Sequence, residues 1–244
     1  FNRAKTQYMD HIPIHVPLIF SAVVIATFGF LYYAFNRTRS VEENNSHFLF
    51  SMVGVSWLFA TAYMASSGFV RDFDALPPRF LFVILPPNLV TIALLVIPKT
   101  RQLLKNIPIA TLTYLHIIRV PVELVIWWLY LEGQLPQIMS FEGLNFDIVS
   151  GITAPFAAIF LVSQKSFHRK SAIVWNIAAL VLLAAIVYHA ILSAPFPFQQ
   201  FGLDQPNVAV FYLPYIWLPG FVVPAVLFAH LVSLVKLLTP ASDH

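Results

Sequence analysis

The sequence contains no cysteine, and only 10% of its 244 residues are charged. Without cysteine the chain has no disulfide, no thiolate-bound metal, no iron–sulfur cluster and no cysteine nucleophile. A soluble domain carries about 25% charged residues, so this chain has too little charge to cover its surface in water. The shortage of charge therefore excludes an ordinary soluble domain and predicts a surface that faces lipid.

Long clusters of lysine and arginine are also missing. The formal net charge is only +3 and comes from short basic loops, so we expect no nucleic-acid partner. What the chain has instead is apolar surface, with 59% hydrophobic residues and a mean hydropathy of +0.76. These values favour a multi-pass integral membrane protein with the lipid bilayer as its partner. In a bacterium it would lie in the cytoplasmic (inner) membrane.

Seven apolar segments are long enough to cross a membrane, which takes about 20 residues. Polar or proline-rich connections separate them, and they lack the alternation and shortness of barrel strands. We predict an all-α protein in which residues 1–244 form a single domain, a bundle of seven transmembrane helices. The predicted segments are 16–35, 48–66, 80–98, 109–131, 146–163, 172–193 and 209–235.

The basic residues are distributed unevenly between the two sides of this bundle. Loops 1, 3 and 5 and the C-terminal tail carry nine of them, and the N-terminus and loops 2, 4 and 6 carry four. The nine are Arg37, Arg39, Lys99, Arg101, Lys105, Lys165, Arg169, Lys170 and Lys236. The four are Arg3, Lys5, Arg71 and Arg79. Because cytoplasmic loops are enriched in lysine and arginine, we predict an outer N-terminus and a cytoplasmic C-terminus.

The fourth segment contains the charged stretch HIIRVPVEL. On a helix, His116, Arg119 and Glu123 share one face, which Trp127 extends. Arg119 would lie about 15 Å into the segment, where an isolated charge costs on the order of 3 kcal/mol. This face should therefore look into the bundle, where Arg119 pairs with Glu123 or with an acid on another segment. Pro121 removes one helical hydrogen bond and predicts a kink.

A second polar stretch, FEGLNFD, precedes or begins the fifth segment. Its Asn145 or Asp147 is suited to cap the helix that follows. Alternatively, the stretch folds inward and lines the outer mouth of a cavity, which His189 at the outer end of the sixth segment could also face. We predict that the ligand-binding residues are His116, Arg119, Glu123, Trp127, Glu142, Asn145, Asp147 and His189.

The histidines leave metal and haem binding open. The weak candidates for a divalent cation are His15, His189, Glu142 and Asp147. No HxxxH or HExxH spacing accompanies them, so no firm metal site is predicted. His116 and His230 are the pair suited to bis-histidine haem ligation, which needs two histidines that face each other at the same depth.

Seven segments with an outer N-terminus are similar in layout to rhodopsins and seven-helix receptors, a likeness of architecture alone. Microbial rhodopsins bind retinal through a lysine midway along the last helix. The predicted segments contain no lysine, and Lys236 follows the seventh, so retinal is not expected. Seven-helix zinc hydrolases of the ceramidase and adiponectin-receptor type use three histidines, two of them one turn apart in the last helix. This chain has only His230 there.

Three functional classes remain. The leading hypothesis is a receptor-like or transporter-like protein whose polar pocket, open to the outer side, binds a small ligand between segments 4 to 7. In it, Arg119 grips an anionic group or holds Glu123. One alternative is an intramembrane enzyme in which His189 and a carboxylate act as acid–base groups or metal ligands. The other is a structural subunit, in an oligomer or complex, whose polar stripe binds a partner chain.

Overall fold

A computed structural model describes residues 11–36, 46–163 and 166–239, and most of these are helical. Of the basic residues used above for orientation, Arg3, Lys5, Arg37, Arg39 and Lys165 lie outside these ranges. The α-helices are α1 (His15–Asn36), α2 (Ser46–Ser66), α3 (Leu81–Val96), α4 (Pro98–Leu104), α5 (Ile109–Leu115), α6 (Arg119–Leu131), α7 (Asp147–Phe160), α8 (Arg169–Leu192) and α9 (Val223–Leu238).

Shorter elements connect these helices. Strands β1 (Val162–Ser163) and β2 (Ser166–Phe167) form a small antiparallel ladder between α7 and α8. A π-helical turn, Leu218–Val222, leads into α9. The 3-10 turns are Phe69–Arg71, His116–Ile118, Gln137–Met139 and Ala209–Phe211.

Five helical stretches in the described residues are long and apolar enough to cross a membrane. They are His15–Asn36, Phe48–Ser66, Ile109–Leu131, Arg169–Leu192 and Leu218–Leu238. Helices α3 and α4 would be a sixth if a pair bent by 90° is one span. Helix α7 has 14 residues and is about 21 Å long, shorter than a hydrocarbon core of about 30 Å. The helix lengths therefore do not support seven full-length spans.

Prolines explain the bend of the third segment. Ile97 precedes Pro98 and is extended, with ψ at 121°, because a residue before proline avoids the helical region. Pro98 then begins α4, where its missing N–H and fixed φ are tolerated. The fourth segment changes from α5 to a 3-10 turn before Arg119 begins α6, with Pro121 in its first turn. The segment is thus irregular directly before Pro121, and the kink at the proline itself stays a prediction.

The segment between α6 and α7 turns back into the protein. Gln134, Leu135 and Met139 are each at most 2% exposed, although they belong to a connection and not to a helix. Consequently α7 begins beside the first turn of α6, where Asp147 meets Arg119. Within FEGLNFD, Asn145 and Asp147 are buried but Glu142 is exposed, so only part of this stretch folds inward.

Small residues allow α7 to pack closely against α5 and α6. Gly151, Ala154 and Ala158 are buried on one face of α7. A Cβ atom on Gly151 would lie 2.8 Å from Val120 Cγ2 and 2.9 Å from the Val120 backbone nitrogen. The two helix backbones can approach so closely only because this position has no side chain.

The main core lies among α1, α5, α6 and α9. A second cluster caps one end of the bundle, where the Phe211 ring contacts the rings of Phe73, Phe80 and Phe196 with centroids 4.5 to 5.7 Å apart. These rings come from the connections 67–80 and 193–217, so the aromatic cluster joins two loops at the same end of the bundle.

Candidate functional site

Arg119 is the centre of a buried polar network. Its Nε donates to Asp147 Oδ2 at 2.6 Å, and its Nη2 donates to Oδ1 of the same carboxylate. Nη2 also donates to the carbonyl oxygen of Ala179 at 3.1 Å. The partner of Arg119 is therefore an acid on another helix, one of the two predicted possibilities, and is not Glu123.

His230 extends this network toward α8. Its Nε2 lies 3.2 Å from Arg119 Nη1, and its Nδ1 lies 3.1 Å from Asn176 Oδ1. Because arginine can only donate, Nε2 must accept and the ring proton must be on Nδ1, donated to Asn176. Asn176 Nδ2 in turn donates to the Ala172 carbonyl, which agrees with this assignment.

Neither His230 nor Asn176 was predicted as a ligand-site residue. His230 is fully buried and Asn176 is 1% exposed. Each is an isolated polar residue among apolar ones within a membrane-length helix. That pattern marks a side chain that must find a polar partner on another helix, and it could have identified both residues.

His116 stacks on the His230 ring, with centroids 4.0 Å apart and planes inclined by 25°. The rings of Trp175 and His116 pack edge to face, with centroids 5.5 Å apart. Both ring nitrogens of His116 are buried without a hydrogen-bond partner in the described part of the chain. Two imidazoles in direct stacking contact leave no room for a porphyrin between them, so the haem hypothesis for this pair is wrong.

Asn145 connects Glu123 to the start of α7. Its Nδ2 donates to Glu123 Oε2 and to the Met139 carbonyl, the latter at 2.8 Å. Its Oδ1 accepts from the backbone N–H of Asp147 at 3.0 Å. One buried amide thus holds the inward-folded segment, a carboxyl group of α6 and the first turn of α7 together.

A cavity of about 440 Å³ adjoins this network. It lies between α3, α6, α8 and α9 and extends to the loops of the aromatic cluster through Phe196 and Phe198. The side chains of Glu123 and Asp147 reach its wall, which is otherwise largely apolar. The cavity found is therefore apolar with a few polar groups, where the sequence predicted a polar pocket.

The remaining predicted site residues lie elsewhere. Trp127 Nε1 donates to the exposed Glu142 at 2.8 Å, away from the lining of the cavity. His189 packs against the rings of Tyr188 and Phe201. Within the described ranges no three His, Asp or Glu side chains form a group that could hold a metal, so the four weak candidates are not brought together.

Charge balance distinguishes the two carboxyl groups of the cavity wall. Arg119 gives Asp147 two hydrogen bonds and neutralises its charge. Glu123, 1% exposed, receives one hydrogen bond, from Asn145. A carboxyl group has more acceptor positions than the one that Asn145 occupies, so Glu123 can accept further donors from the cavity.

These features define a helical protein with several membrane-length apolar helices and a buried charged network at their centre. A family model described as domain of unknown function DUF8737 matches residues 76–238, and the chain belongs to this family. The matched region contains every helix from α3 to α9 and thus the whole network. No curated protein and no solved structure matches the chain.

Proposed function

We propose that this protein is a multi-pass integral membrane protein that binds a small, mostly apolar ligand in the cavity beside Glu123. The ligand would carry one hydrogen-bond-donating or cationic group, which Glu123 would accept. The charge bias predicts that the loops that line the end of the cavity lie on the outer side, so we propose that the ligand enters from there.

The observation that carries this proposal is the position of the Glu123 carboxyl group in an apolar wall. Ligand cavities typically measure 300 to 1,000 Å³ and combine apolar walls with a few fixed polar groups. A cavity of about 440 Å³ with Asn88 and Asn207 as additional polar lining residues fits this description. A carboxylate fixed by Asn145 supplies a defined acceptor for the polar end of the ligand.

The short helix α7 favours a transporter-like role over a receptor-like one. It begins beside Arg119, well inside the bundle, and the segment before it is buried and irregular. Discontinuous helices of this kind line the substrate sites of many transporters near the middle of the bilayer. With α7 and the bent α3–α4 pair inserted beside the five long helices, the predicted seven segments would all lie within the membrane.

The alternatives have less support from the geometry. A polar stripe that binds a partner chain should be accessible, yet Arg119 is 2% exposed and engaged with its own chain. An enzyme that uses His189 needs a nearby carboxylate, and the ring contacts found for His189 are aromatic. We therefore rank ligand binding first.

The test is to identify small molecules retained by the full chain after purification in a mild detergent, by extraction and mass spectrometry. We expect the wild type to retain a compact apolar molecule with one donor or cationic group. Ala184→Phe fills the cavity that Ala184 lines and should abolish retention. Ala178→Phe, an exposed position on the same helix outside the lining, is the matched control and should retain the molecule.

Glu123→Gln separates recognition by charge from simple filling of space. Hydrogen bonds to a charged group contribute about 1.5 to 3 kcal/mol, so binding of the retained molecule should weaken roughly 10- to 150-fold. Equal retention by the wild type, Ala184→Phe and Glu123→Gln would contradict the proposal.

A further inference from the structure

We propose that the protein also holds one anionic phospholipid, with its acyl chains in an apolar cleft beside α2 and its phosphate on the basic residues of α4. This site is separate from the cavity beside Glu123. The inference rests on the membrane embedding proposed above and does not depend on the ligand proposed for that cavity.

The cleft lies between α2, α3 and α9 and measures about 800 Å³. Its wall is almost entirely apolar and includes Phe50, Pro87, Leu94, Phe221 and Phe228. The two threonines in the wall are already satisfied, because Thr91 donates to Pro87 O and Thr100 donates to Leu94 O. The cleft is therefore suited to bind hydrocarbon chains.

Two tryptophans fix α2 to the segment that leads into α9, and Trp57 also lines the cleft toward one end. Trp57 Nε1 donates to the carbonyl of Gly220 at 2.8 Å, and Trp217 Nε1 donates to that of Leu58 at 3.1 Å. Helix α2 is otherwise the least buried of the membrane-length helices. It packs on α1 through Phe50, whose ring stacks on that of Phe35 with centroids 4.6 Å apart, and the cleft is the gap between α2, α3 and α9.

Helix α4 supplies charge at the other end. It runs at 90° to α3 and contributes Thr100, Leu103 and Leu104 to the wall. At about 100° per residue, Lys99 and Arg101 project on either side of this lining face. An apolar face flanked by cations is typical of a helix that lies in the membrane interface.

These cations are available for an anion. Lys99, Arg101 and Lys105 are exposed, and neither ion pair found within the described ranges involves them. Lys236 is different, because its Nζ donates to the carbonyls of Lys105 and Ile107 and closes the turn after α4. Charge bias places this end on the cytoplasmic side, where anionic lipids are concentrated.

Chemistry selects a lipid over other occupants. An apolar helix of a partner chain would cover the wall but leave the cations of α4 without an anion. A free phosphate ion would meet the cations but leave the apolar wall uncovered. A phospholipid satisfies both parts at once.

The experiment measures lipid binding to the full chain by native mass spectrometry, with phosphatidylglycerol and phosphatidylcholine of identical acyl chains. We expect the wild type to bind one phosphatidylglycerol in preference to phosphatidylcholine, and inorganic phosphate not to displace it. Each basic residue near the surface contributes about a five-fold preference for anionic lipid. The double variant Lys99→Gln/Arg101→Gln should therefore bind phosphatidylglycerol about 25-fold more weakly and phosphatidylcholine unchanged.

A matched pair of variants tests the position of the chains. Ala60→Trp fills the cleft and should abolish binding of both lipids, whereas Ala93→Trp, exposed on α3 outside the lining, should not. A phosphatidylglycerol with a photoreactive acyl chain should label α2 and α3 in the wild type, which provides a readout independent of any variant.

Equal binding of the two lipids, equal loss in Ala60→Trp and Ala93→Trp, absence of label from α2 and α3, or no bound lipid would each overturn the proposal. Ala184→Phe and Glu123→Gln should leave lipid binding intact. Failure of the ligand proposal and failure of the lipid proposal are thereby distinguished.

Discussion

Arg119 and Asp147, 28 residues apart in the chain, form a two-point ion pair in the protein interior. Their side chains are only 3% and 5% exposed. The pair joins the first turn of α6 to the first turn of α7 and removes two charges that would each be costly to bury alone. The position of α7 therefore depends on this contact.

Breaking the pair from one side should destabilise the protein strongly. Arg119→Leu leaves the Asp147 carboxylate buried without a counter-charge, which costs about 3 to 5 kcal/mol. Because α7 would shift, we also expect ligand retention in the central cavity to be lost. The measurement is the free energy of unfolding in detergent, together with the extraction experiment described above.

The double variant Arg119→Met/Asp147→Leu removes both charges and should recover most of this loss. The matched surface control is the pair Arg79 and Asp72, 2.8 Å apart and partly exposed. Arg79→Ala should cost less than about 1 kcal/mol. A stable Arg119→Leu variant with full retention would show that the network has no role in placing the cavity wall.

Both the oxygen and the nitrogen of the Asn145 amide should contribute to stability. Asn145→Ala leaves the Met139 carbonyl and the Asp147 N–H without their partner and should cost about 1 to 3 kcal/mol. Asn145→Asp keeps the acceptor but turns a second carboxyl oxygen toward Glu123, so we expect at least the same loss. Thermal unfolding monitored by circular dichroism measures both, with the exposed Asn106→Ala as a neutral control.

Gly151 tests the close approach of α6 and α7. Gly151→Ala places a methyl group against Val120, and overpacking of this kind costs about 1 to 3 kcal/mol. Gly29→Ala is the matched control, because a Cβ there meets nothing within 4 Å. Its higher helix propensity should leave stability unchanged or raise it by up to about 1 kcal/mol. Equal effects at both sites would argue against the packing described here.

The two indole hydrogen bonds that fix α2 can be removed by substitutions that leave helix propensity almost unchanged. Trp57→Phe and Trp217→Phe should each lose about 0.6 kcal/mol, the typical value of a hydrogen bond between membrane helices. We expect the loss to appear as faster hydrogen exchange in α2 and not in α6. Uniform acceleration across the chain would instead indicate general loosening.

The absence of cysteine makes orientation directly measurable. Asp204→Cys and Lys170→Cys each introduce a single thiol at an exposed position. With an outer N-terminus, a membrane-impermeant maleimide should label Asp204→Cys on intact cells and Lys170→Cys only after permeabilisation. The reverse pattern would place the loops around Phe211 in the cytoplasm.

Hydropathy predicted where the helices lie but not how long each one is. All seven predicted segments contain helix, because long apolar runs must satisfy their backbone hydrogen bonds internally. The fifth was predicted as 146–163 and is the helix Asp147–Phe160. Hydropathy cannot reveal that the preceding connection turns inward, since burial of Gln134 or Asn145 depends on contacts with distant parts of the chain.

The site, too, could be predicted only in part, because it depends on contacts between distant parts of the chain. The depth of Arg119 in an apolar segment required an internal partner, and that requirement left two possibilities, Glu123 or an acid on another segment, of which the second is observed. Which acid it is, and that His230 and Asn176 join it, depends on how α8 and α9 pack around α6. Sequence spacing within one helix contains no information on that arrangement.

The short length of α7 has a consequence for biogenesis. A helix of 14 residues whose first residue is a buried aspartate is shorter than the roughly 20 apolar residues of a membrane span, so under the proposed membrane embedding we expect it to insert poorly by itself. Its counter-charge is on α6, which is synthesised earlier. Under the proposed membrane embedding, we expect the segment that contains Arg119 to insert together with α7, so that the two charges enter lipid as a neutral pair.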